Sequence, residues 1–313
     1  MNEHGLPIKS GLTPVRRKLK GLPKLKRYIL PRLNQRAKVG MLPVVSEGKA
    51  IPRIIHQTFH SKDLPALLDN NVRKMRAMNP GWEYRFYDDS DIVEFISSNY
   101  GPRITNYYRR INPRYGAARA DFFRYLLMYK CGGVYLDVKS YTESPLDDAL
   151  TADDSFLLSQ WKNNQGEPFQ GWGLHADLAA IDRGEFQQWH IIATPGHPFL
   201  KAAIENVLGN IDSYNPDRHG VGRQSALTVT GPIAYTLAIA PLLHVHRHRF
   251  VDSEADLGLC YSNFGGTDAH AALLGPHYAQ LDEPVINVGA WQKAVSLLLR
   301  LLRSARIVPG TNR

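Results

Sequence analysis

Hydrophobic and polar positions between residues 51 and 87 follow one another as strand, helix and strand. The apolar stretch at residues 51–59 predicts a buried strand, and the more polar stretch at about residues 65–78 predicts a helix. Asn79-Pro80-Gly81 marks a turn, after which residues 82–87 alternate large rings with charged side chains and predict a second strand. This succession is typical of an α/β fold with a mainly parallel sheet and helical crossovers.

The strongest helix pattern covers residues 116–130. It is followed by Gly132-Gly133, where a helix commonly ends, and then by a short apolar segment that predicts a buried strand ending at Asp137. Asp121 and Arg124 lie three residues apart on one face of this helix. Because the chain returns along the strand, these three side chains can meet. On spacing alone the alternative is favoured, in which Asp121 and Arg124 form a surface ion pair and Asp137 caps a loop.

Later segments continue the same pattern. Residues 155–161 and 189–193 predict strands, and residues 198–208 predict a helix. Thr230-Gly231-Pro232 opens a further helix with proline in its first turn. Between the two strands, residues 162–180 are rich in Gly, Asn and Gln, and this composition predicts a long loop.

Charge is distributed unevenly along the 313 residues, whose net charge is +9. Residues 1–50 hold 12 Lys and Arg against 2 Glu, a net +10, so the remaining 263 residues sum to −1. A neutral body argues against nucleic-acid binding, which needs a basic folded surface. We predict a basic arm at residues 1–50, a folded domain at residues 51–290, and a basic amphipathic helix and tail at residues 291–313.

Both basic ends interleave leucines with cations, a pattern that favours adhesion to an anionic membrane surface. The alternatives are a solvated arm and a terminal helix packed on the body. Cys131 and Cys260 cannot build a disulfide framework, and the basic N-terminus lacks the apolar stretch of a secretory signal. No uninterrupted apolar run is long enough to span a bilayer. We expect a cytoplasmic protein, peripheral on the inner face of the membrane.

The segment from Ala120 to Asp137, ADFFRYLLMYKCGGVYLD, resembles the signature of glycosyltransferases that contain the DXD sugar-binding motif. That family includes the yeast initiating α-1,6-mannosyltransferase type and bacterial capsular polysaccharide enzymes. Weaker similarity extends over residues 51–240. The resemblance implies a GT-A type nucleotide-diphospho-sugar transferase fold, which is Rossmann-like, with residues 51–290 as the catalytic domain. It also implies a retaining hexosyltransferase that uses a UDP- or GDP-sugar.

The resemblance also implies roles for individual residues. Asp121 and Arg124 would hold the donor sugar, and Asp137 would contact the ribose and a metal ion, Mn²⁺ or Mg²⁺. Five more residues would lie near the donor nucleotide: Ile55, His56, Gln57, Tyr135 and Lys139. Trp172, in the polar loop, and Gly231 are candidates for contact with the acceptor, and for Trp172 the alternative is a purely structural ring.

Lys139 departs from the family pattern, which has Asp at this position. A protonated lysine cannot bind a metal ion and repels one. Three interpretations remain open. In the first, Asp137 holds the metal with another oxygen donor, for which Asp252, Glu254 and Asp256 are candidates. In the second, Lys139 replaces the metal as a positive charge beside the diphosphate. In the third, Lys139 points away from the site or the protein is inactive.

The predicted function is therefore transfer of a hexose from a nucleotide-sugar to a saccharide or lipid-linked acceptor in surface polysaccharide synthesis. The alternative is an inactive, membrane-associated scaffold that binds a glycan or nucleotide. A glycoside hydrolase is disfavoured because no carboxylate pair flanks an evident groove.

Overall fold

The computed structural model describes residues 40–262, 281–287, 289 and 294. Most of the predicted arm and of the predicted C-terminal helix lies outside these residues, so the three-part division of the chain stays a prediction. The helices of the described part are α1 Ala66–Met78, α2 Asp89–Arg110, α3 Gly116–Cys131, α4 Leu146–Ala149, α5 Pro198–Ser213, α6 Pro216–His219, α7 Gly222–Val229 and α8 Pro232–Ile239. The strands are β1 Ile54–Thr58, β2 Glu83–Tyr87, β3 Gly133–Leu136, β4 Tyr141–Thr142, β5 Phe156–Leu158, β6 His190–Ala193, β7 Arg249–Phe250 and β8 Leu259–Cys260.

Six strands form the central sheet in the order β2-β1-β3-β6-β5-β7, and β4 pairs with β8 separately. Three neighbouring pairs of the central sheet are parallel, namely β1 with β2, β1 with β3, and β5 with β7. Strand β6 runs antiparallel to both β3 and β5. The α/β class and the mainly parallel sheet flanked by helices are therefore confirmed, with β6 as the reversed strand.

The direction of the strands determines which chain ends meet at one edge of the sheet. Leu136, at the carboxyl end of β3, pairs with His190, at the amino end of β6. Strand β1 ends at the same edge because it is parallel to β3, and β5 ends there because it is antiparallel to β6. In open α/β sheets this edge is where ligands commonly bind.

Helix α3 brings its own residues to this edge. It is buried along most of its length, with Phe122, Phe123, Leu126 and Leu127 inaccessible to solvent. The helix stops at Gly132, and the chain turns back into β3 through two residues with φ of 64° and 98°. A Cβ atom on Gly133 would lie 2.6 Å from the carbonyl oxygen of Ile54, so this turn requires glycine.

One buried segment is apolar enough to be compared with a membrane span. Gly222–Leu242 is 21 residues long, and an 18-residue stretch within it has a mean hydropathy of 1.3 and is 61% buried inside the fold. It includes α7 and α8, whose buried side chains join the core between α3 and α5. Its apolar character is thus explained by packing within the domain.

Three buried histidines make stability depend on pH. Burial lowers the pKa of His56 from 6.5 to about 4, that of His190 to about 3 and that of His197 to about 4. The unfolded chain takes up these protons below pH 6.5 while the folded protein does not, so stability is complete above pH 6.5 and falls toward pH 4. Each histidine should cost about 2 kcal/mol at pH 5.

We therefore expect the free energy of unfolding in urea to fall steeply between pH 7 and pH 5. The variant His190→Gln should show a smaller fall than the wild type, and replacement of the exposed His60 should leave the slope unchanged. An identical slope in wild type and His190→Gln would show that His190 is not the neutral, buried group described here.

Candidate active site

Asp121, Arg124 and Asp137 converge at the edge where β3 ends. Nη2 of Arg124 lies 3.0 Å from Oδ1 of Asp137 and 3.5 Å from Oδ1 of Asp121. The side chains of Asp121 and Arg124 are 8% and 5% exposed, whereas that of Asp137 is 25% exposed. The surface ion pair considered from the sequence is therefore wrong, and Asp137 is the member of the group that solvent reaches.

Asp121 is held by two residues from later parts of the chain. Gln188 donates from Nε2 to Oδ1 over 2.9 Å, and Thr230 donates from its hydroxyl to Oδ2 over 3.1 Å. Tyr125 joins these partners, because its hydroxyl lies 3.0 Å from Oε1 of Gln188 and 2.9 Å from the carbonyl oxygen of Thr230. Asp121 therefore has a fixed orientation before any ligand binds.

The electrostatics follow from burial and the shared guanidinium. Burial raises the pKa of Asp121, and Arg124 and the hydrogen bond from Gln188 only partly oppose it. Burial alone would lower the pKa of Arg124, but Asp137, Tyr135 and Asp121 raise it above its ordinary value. The ring of Tyr135 lies under the guanidinium, 4.7 Å from centroid to Cζ. Arg124 is thus a permanent cation beside Asp137.

The backbone of Asp137 is fixed from both sides. Its N–H donates to the carbonyl oxygen of Trp189 over 2.8 Å, which ties it to the start of β6. Its carbonyl oxygen accepts from Nε2 of Gln57 and from the N–H and hydroxyl of Ser140. The hydroxyl of Tyr84 donates to Oε1 of Gln57 over 3.0 Å. Asp137 is thereby connected to β1 and β2 on one side and to β6 on the other.

The residues predicted near the nucleotide are spread over this region. Gln57 and Tyr135 contact Asp137, since the hydroxyl of Tyr135 lies 3.3 Å from Oδ1. The side chain of Ile55 packs in the core with Val134, and Nε2 of His56 lies 3.0 Å from the carbonyl oxygen of Gly132, at the amino end of β3. The contacts of Ile55 and His56 thus lie within the fold, and their nucleotide-binding role stays a prediction.

Lys139 lies two residues beyond Asp137 and is 9% exposed. Its Nζ donates to the hydroxyl of Tyr261 over 2.8 Å and stands 4.1 Å from the centre of that ring. In a cation–π contact of this kind the ring face attracts the ammonium group. A fixed positive charge therefore occupies the position where the family motif has a carboxylate.

The residues of the described part do not make a metal site by themselves. Within it, no group of three or more His, Cys, Asp or Glu side chains is placed to hold a metal ion. Asp137 offers one carboxylate and Lys139 offers none. Asp252, a candidate donor, pairs with Lys162 over 2.7 Å and accepts from the N–H of Glu254. Mn²⁺ or Mg²⁺ would need ligands beyond these side chains.

The sequence Asp89-Ser90-Asp91 has the Asp-x-Asp form, and its position at the start of α2 has a structural explanation. Asp88 caps α2 by accepting from the N–H groups of Ser90 and Asp91, and Asp91 accepts from the N–H of Asp88. This reciprocal capping box stabilises the start of a helix. It gives these carboxylates no role at the β3 edge.

Five aromatic rings form a cluster beside Lys139, and we call them the ring cluster. Their centroids lie between 4.9 and 6.0 Å apart, and they are Trp161, Phe169, Trp172, Trp189 and Tyr261. Glu185 fixes the position of the ring cluster: it accepts a hydrogen bond from Nε1 of Trp161 over 2.7 Å and contacts Nε2 of His175 over 2.8 Å. Trp172 is 48% exposed, whereas Trp161 and Trp189 are each 4% exposed. Phe169 and Tyr261 are half-buried, so Trp172 is the most exposed ring of the cluster.

Several residues of the site were not singled out from the sequence. Gln188, Thr230 and Tyr261 become visible only because the fold brings distant segments together. Gly231, predicted near the acceptor, follows Thr230 and caps α8, where a Cβ would lie 2.9 Å from Cα of Leu227. Its acceptor role stays a prediction, and close packing explains the glycine.

Comparison with known proteins agrees with the resemblance. Residues 65–157 match the family described as glycosyltransferase sugar-binding region containing DXD motif. The chain is 30% identical over 167 residues to inositol phosphoceramide mannosyltransferase 1 of Schizosaccharomyces pombe, covering 51% of this chain and 44% of that protein. It is 29% identical over 174 residues to the initiation-specific α-1,6-mannosyltransferase of Candida albicans, covering 51% and 43%. The resemblance predicted from the sequence is therefore confirmed for residues 65–157.

The matched part of the chain spans less than half the length of these two curated relatives. Among solved structures, the PaToxG glycosyltransferase is similar over 90% of this chain and 94% of that one, at 14% identity and a TM-score of 0.46.

Proposed function

We propose that this chain, whose residues 65–157 belong to the glycosyltransferase sugar-binding family with the DXD motif, is a retaining glycosyltransferase. It moves a hexose from a UDP- or GDP-sugar to a glycan or lipid-linked acceptor. The observation that carries the proposal is the convergence of Asp121, Arg124 and Asp137 at the β3 edge. The mannosyltransferase names of the relatives support a sugar-nucleotide donor.

The three residues differ in what they can do for a donor. Asp137 is the accessible carboxylate, so it accepts hydrogen bonds from hydroxyl groups of the donor. Arg124 pairs with Asp137 from the buried side of the site. Its positive charge also stabilises the negative charge that develops on the departing diphosphate. Asp121 orients Arg124 and is itself held by Gln188 and Thr230.

The reaction that fits this site is front-face attack, in which the acceptor approaches the face of the sugar from which the diphosphate departs. The acceptor hydroxyl oxygen forms a bond to the anomeric carbon while the bond from that carbon to the diphosphate oxygen breaks. Because the new bond forms on the face from which the diphosphate departs, configuration is retained without a covalent enzyme intermediate. The hydroxyl proton passes to the departing phosphate oxygen.

Lys139 adds one positive charge at the position where the motif has a metal-binding carboxylate. A diphosphate needs its charge neutralised, and a lysine beside it acts as a point charge. We infer that Lys139 supplies part of this neutralisation. Mn²⁺ or Mg²⁺ then adds to donor binding without being indispensable for it.

Donor binding can be tested by thermal shift with UDP, GDP and their hexose conjugates, with Mn²⁺ or with a chelator. We expect one nucleotide series to raise the melting temperature, since ligand at about one hundred times its dissociation constant stabilises by about 2.7 kcal/mol. Most of the shift should persist in the chelator, and Lys139→Ala should reduce it more than the chelator does. Loss of the whole wild-type shift on chelation would contradict the role given to Lys139, and absence of any shift would contradict the function.

Lys139 also motivates the second candidate, an inactive scaffold that binds a nucleotide or glycan. Slow hydrolysis of the donor in the absence of acceptor separates the two candidates, because only a competent site cleaves the bond to the diphosphate.

Peripheral attachment to the inner face of the cell membrane belongs to the same proposal. It is supported by the net +10 of residues 1–50, most of which lie outside the described residues.

A further inference from the structure

The exposed ring of Trp172 is held in a fixed position. The N–H of Trp172 donates to the carbonyl oxygen of Phe169 over 2.9 Å, and its carbonyl oxygen accepts from Nδ2 of Asn163 over 2.7 Å. The ring itself packs 5.2 Å from Trp161 and 6.0 Å from Tyr261. One part of the indole is therefore clamped by the ring cluster while the other part faces solvent.

The loop that carries Trp172 is closed at its base. Gln160 and Phe186 form an antiparallel bridge, and the N–H of Gln187 donates to the carbonyl oxygen of Ser159. Both ends of the loop start from the site edge, since β5 ends and β6 begins there. The loop thus places an ordered aromatic ring beside the site. Because the ring is ordered already, binding a ligand to it costs little further conformational entropy.

The ring cluster lies on one side of Asp137 and the predicted nucleotide residues lie on the other. Trp189 accepts from the N–H of Asp137 on the β6 side, and Tyr261 contacts Lys139. Gln57, by contrast, reaches the carbonyl oxygen of Asp137 from β1. With the donor nucleotide over β1, the side carrying the ring cluster is open to the second substrate.

The surroundings of Trp172 match a sugar better than an acyl chain. The loop carries two ion pairs, Lys162 with Asp252 and Arg183 with Glu167, and Gln170 is exposed beside them, while Leu174 is its one other large apolar side chain that is mostly exposed. A flat ring with polar neighbours suits a pyranose, whose C–H face is apolar and whose edge carries hydroxyl groups. An acyl chain would need a longer apolar surface than one indole.

We propose that Trp172 is the acceptor platform, on which a pyranose ring of the acceptor stacks with a hydroxyl directed toward the Asp137 edge. This inference rests on the proposed transferase function. The buried members of the ring cluster are positioning residues, because they hold Trp172 and do not themselves reach solvent.

The test compares wild type, Trp172→Ala, Trp172→Phe and Phe250→Ala. Phe250 is the matched control, because it is 49% exposed and lies at the far edge strand of the sheet. Saturation-transfer NMR with methyl α-mannoside and methyl α-glucoside reports saccharide binding, and thermal shift with UDP and GDP reports donor binding. We expect Trp172→Ala to lose saccharide signal about tenfold, while Trp172→Phe and Phe250→Ala keep most of it and all four proteins show the same nucleotide shift.

Three results would overturn the platform. They are equal saccharide signal in wild type and Trp172→Ala, no saccharide signal in the wild type, and loss of the nucleotide shift instead of the saccharide signal in Trp172→Ala. The last would make the ring a partner of the donor base. A wild type without any nucleotide shift would contradict the transferase function instead, so the two failures are distinguishable.

Discussion

Asp137→Asn should lower both sugar transfer and donor hydrolysis by about 100-fold or more, with the fold intact. The substitution removes the accessible negative charge that faces the donor while keeping the shape of the side chain. Removing one group that stabilises charge in a transition state commonly costs this much. Because the side chain is 25% exposed and Asn still accepts from Tyr135, we expect a circular dichroism spectrum like that of the wild type.

The measurement is release of nucleoside diphosphate with and without acceptor, at a donor concentration above the wild-type KM. Asp147→Asn is the matched control, since Asp147 is an exposed carboxylate paired with Arg53 and should leave both rates unchanged. Transfer by Asp137→Asn within about twofold of the wild type would exclude Asp137 from the reaction.

Arg124→Met should destabilise the protein by about 3–5 kcal/mol and abolish transfer. The guanidinium is the shared partner of two carboxylates, and its removal leaves Asp121 as an uncompensated buried charge. The exposed Arg114, paired with Glu283, is the matched control, and Arg114→Met should cost less than about 1 kcal/mol. Urea unfolding followed by fluorescence gives both values.

The double variant Arg124→Met with Asp121→Asn separates stability from function. Replacing the orphaned carboxylate by an amide should recover a large part of the lost stability, because the buried charge is gone. Transfer should remain abolished, because the cation beside Asp137 is still missing. A double variant no more stable than Arg124→Met would show that packing, and not charge, explains the loss.

Much of the fold could be predicted because local patterns and packing agree. Helix α3 and the stop at Gly132 follow from apolar spacing and from a glycine that the turn requires. The meeting of Asp121 with Asp137 follows from a helix that turns back into a strand. The reversed direction of β6 could not be predicted, since a short apolar strand has the same pattern in either direction.

The parts of the site that escaped prediction depend on contacts between distant residues. Gln188 lies 67 residues from Asp121 and Thr230 lies 109 residues away, and neither has a local signal. Lys139 was noticed from its sequence, but its contact with Tyr261 spans 122 residues. Hydrogen bonds between side chains so far apart in sequence depend on the topology of the sheet. The sequence pattern predicts that topology only in outline.

The bridge between Gln160 and Phe186 has a consequence for how this enzyme can diversify. It closes the Trp172 loop at its base, so exposed residues between the two, such as Gln170 and Trp172, can be exchanged without changing the pairing of β5 with β6, whereas Trp161 and Leu178 are buried in the core. Asp121, Arg124 and Asp137 all lie outside that interval. If Trp172 is the acceptor platform, exchange of the exposed residues of this loop is the most direct route to a new acceptor preference.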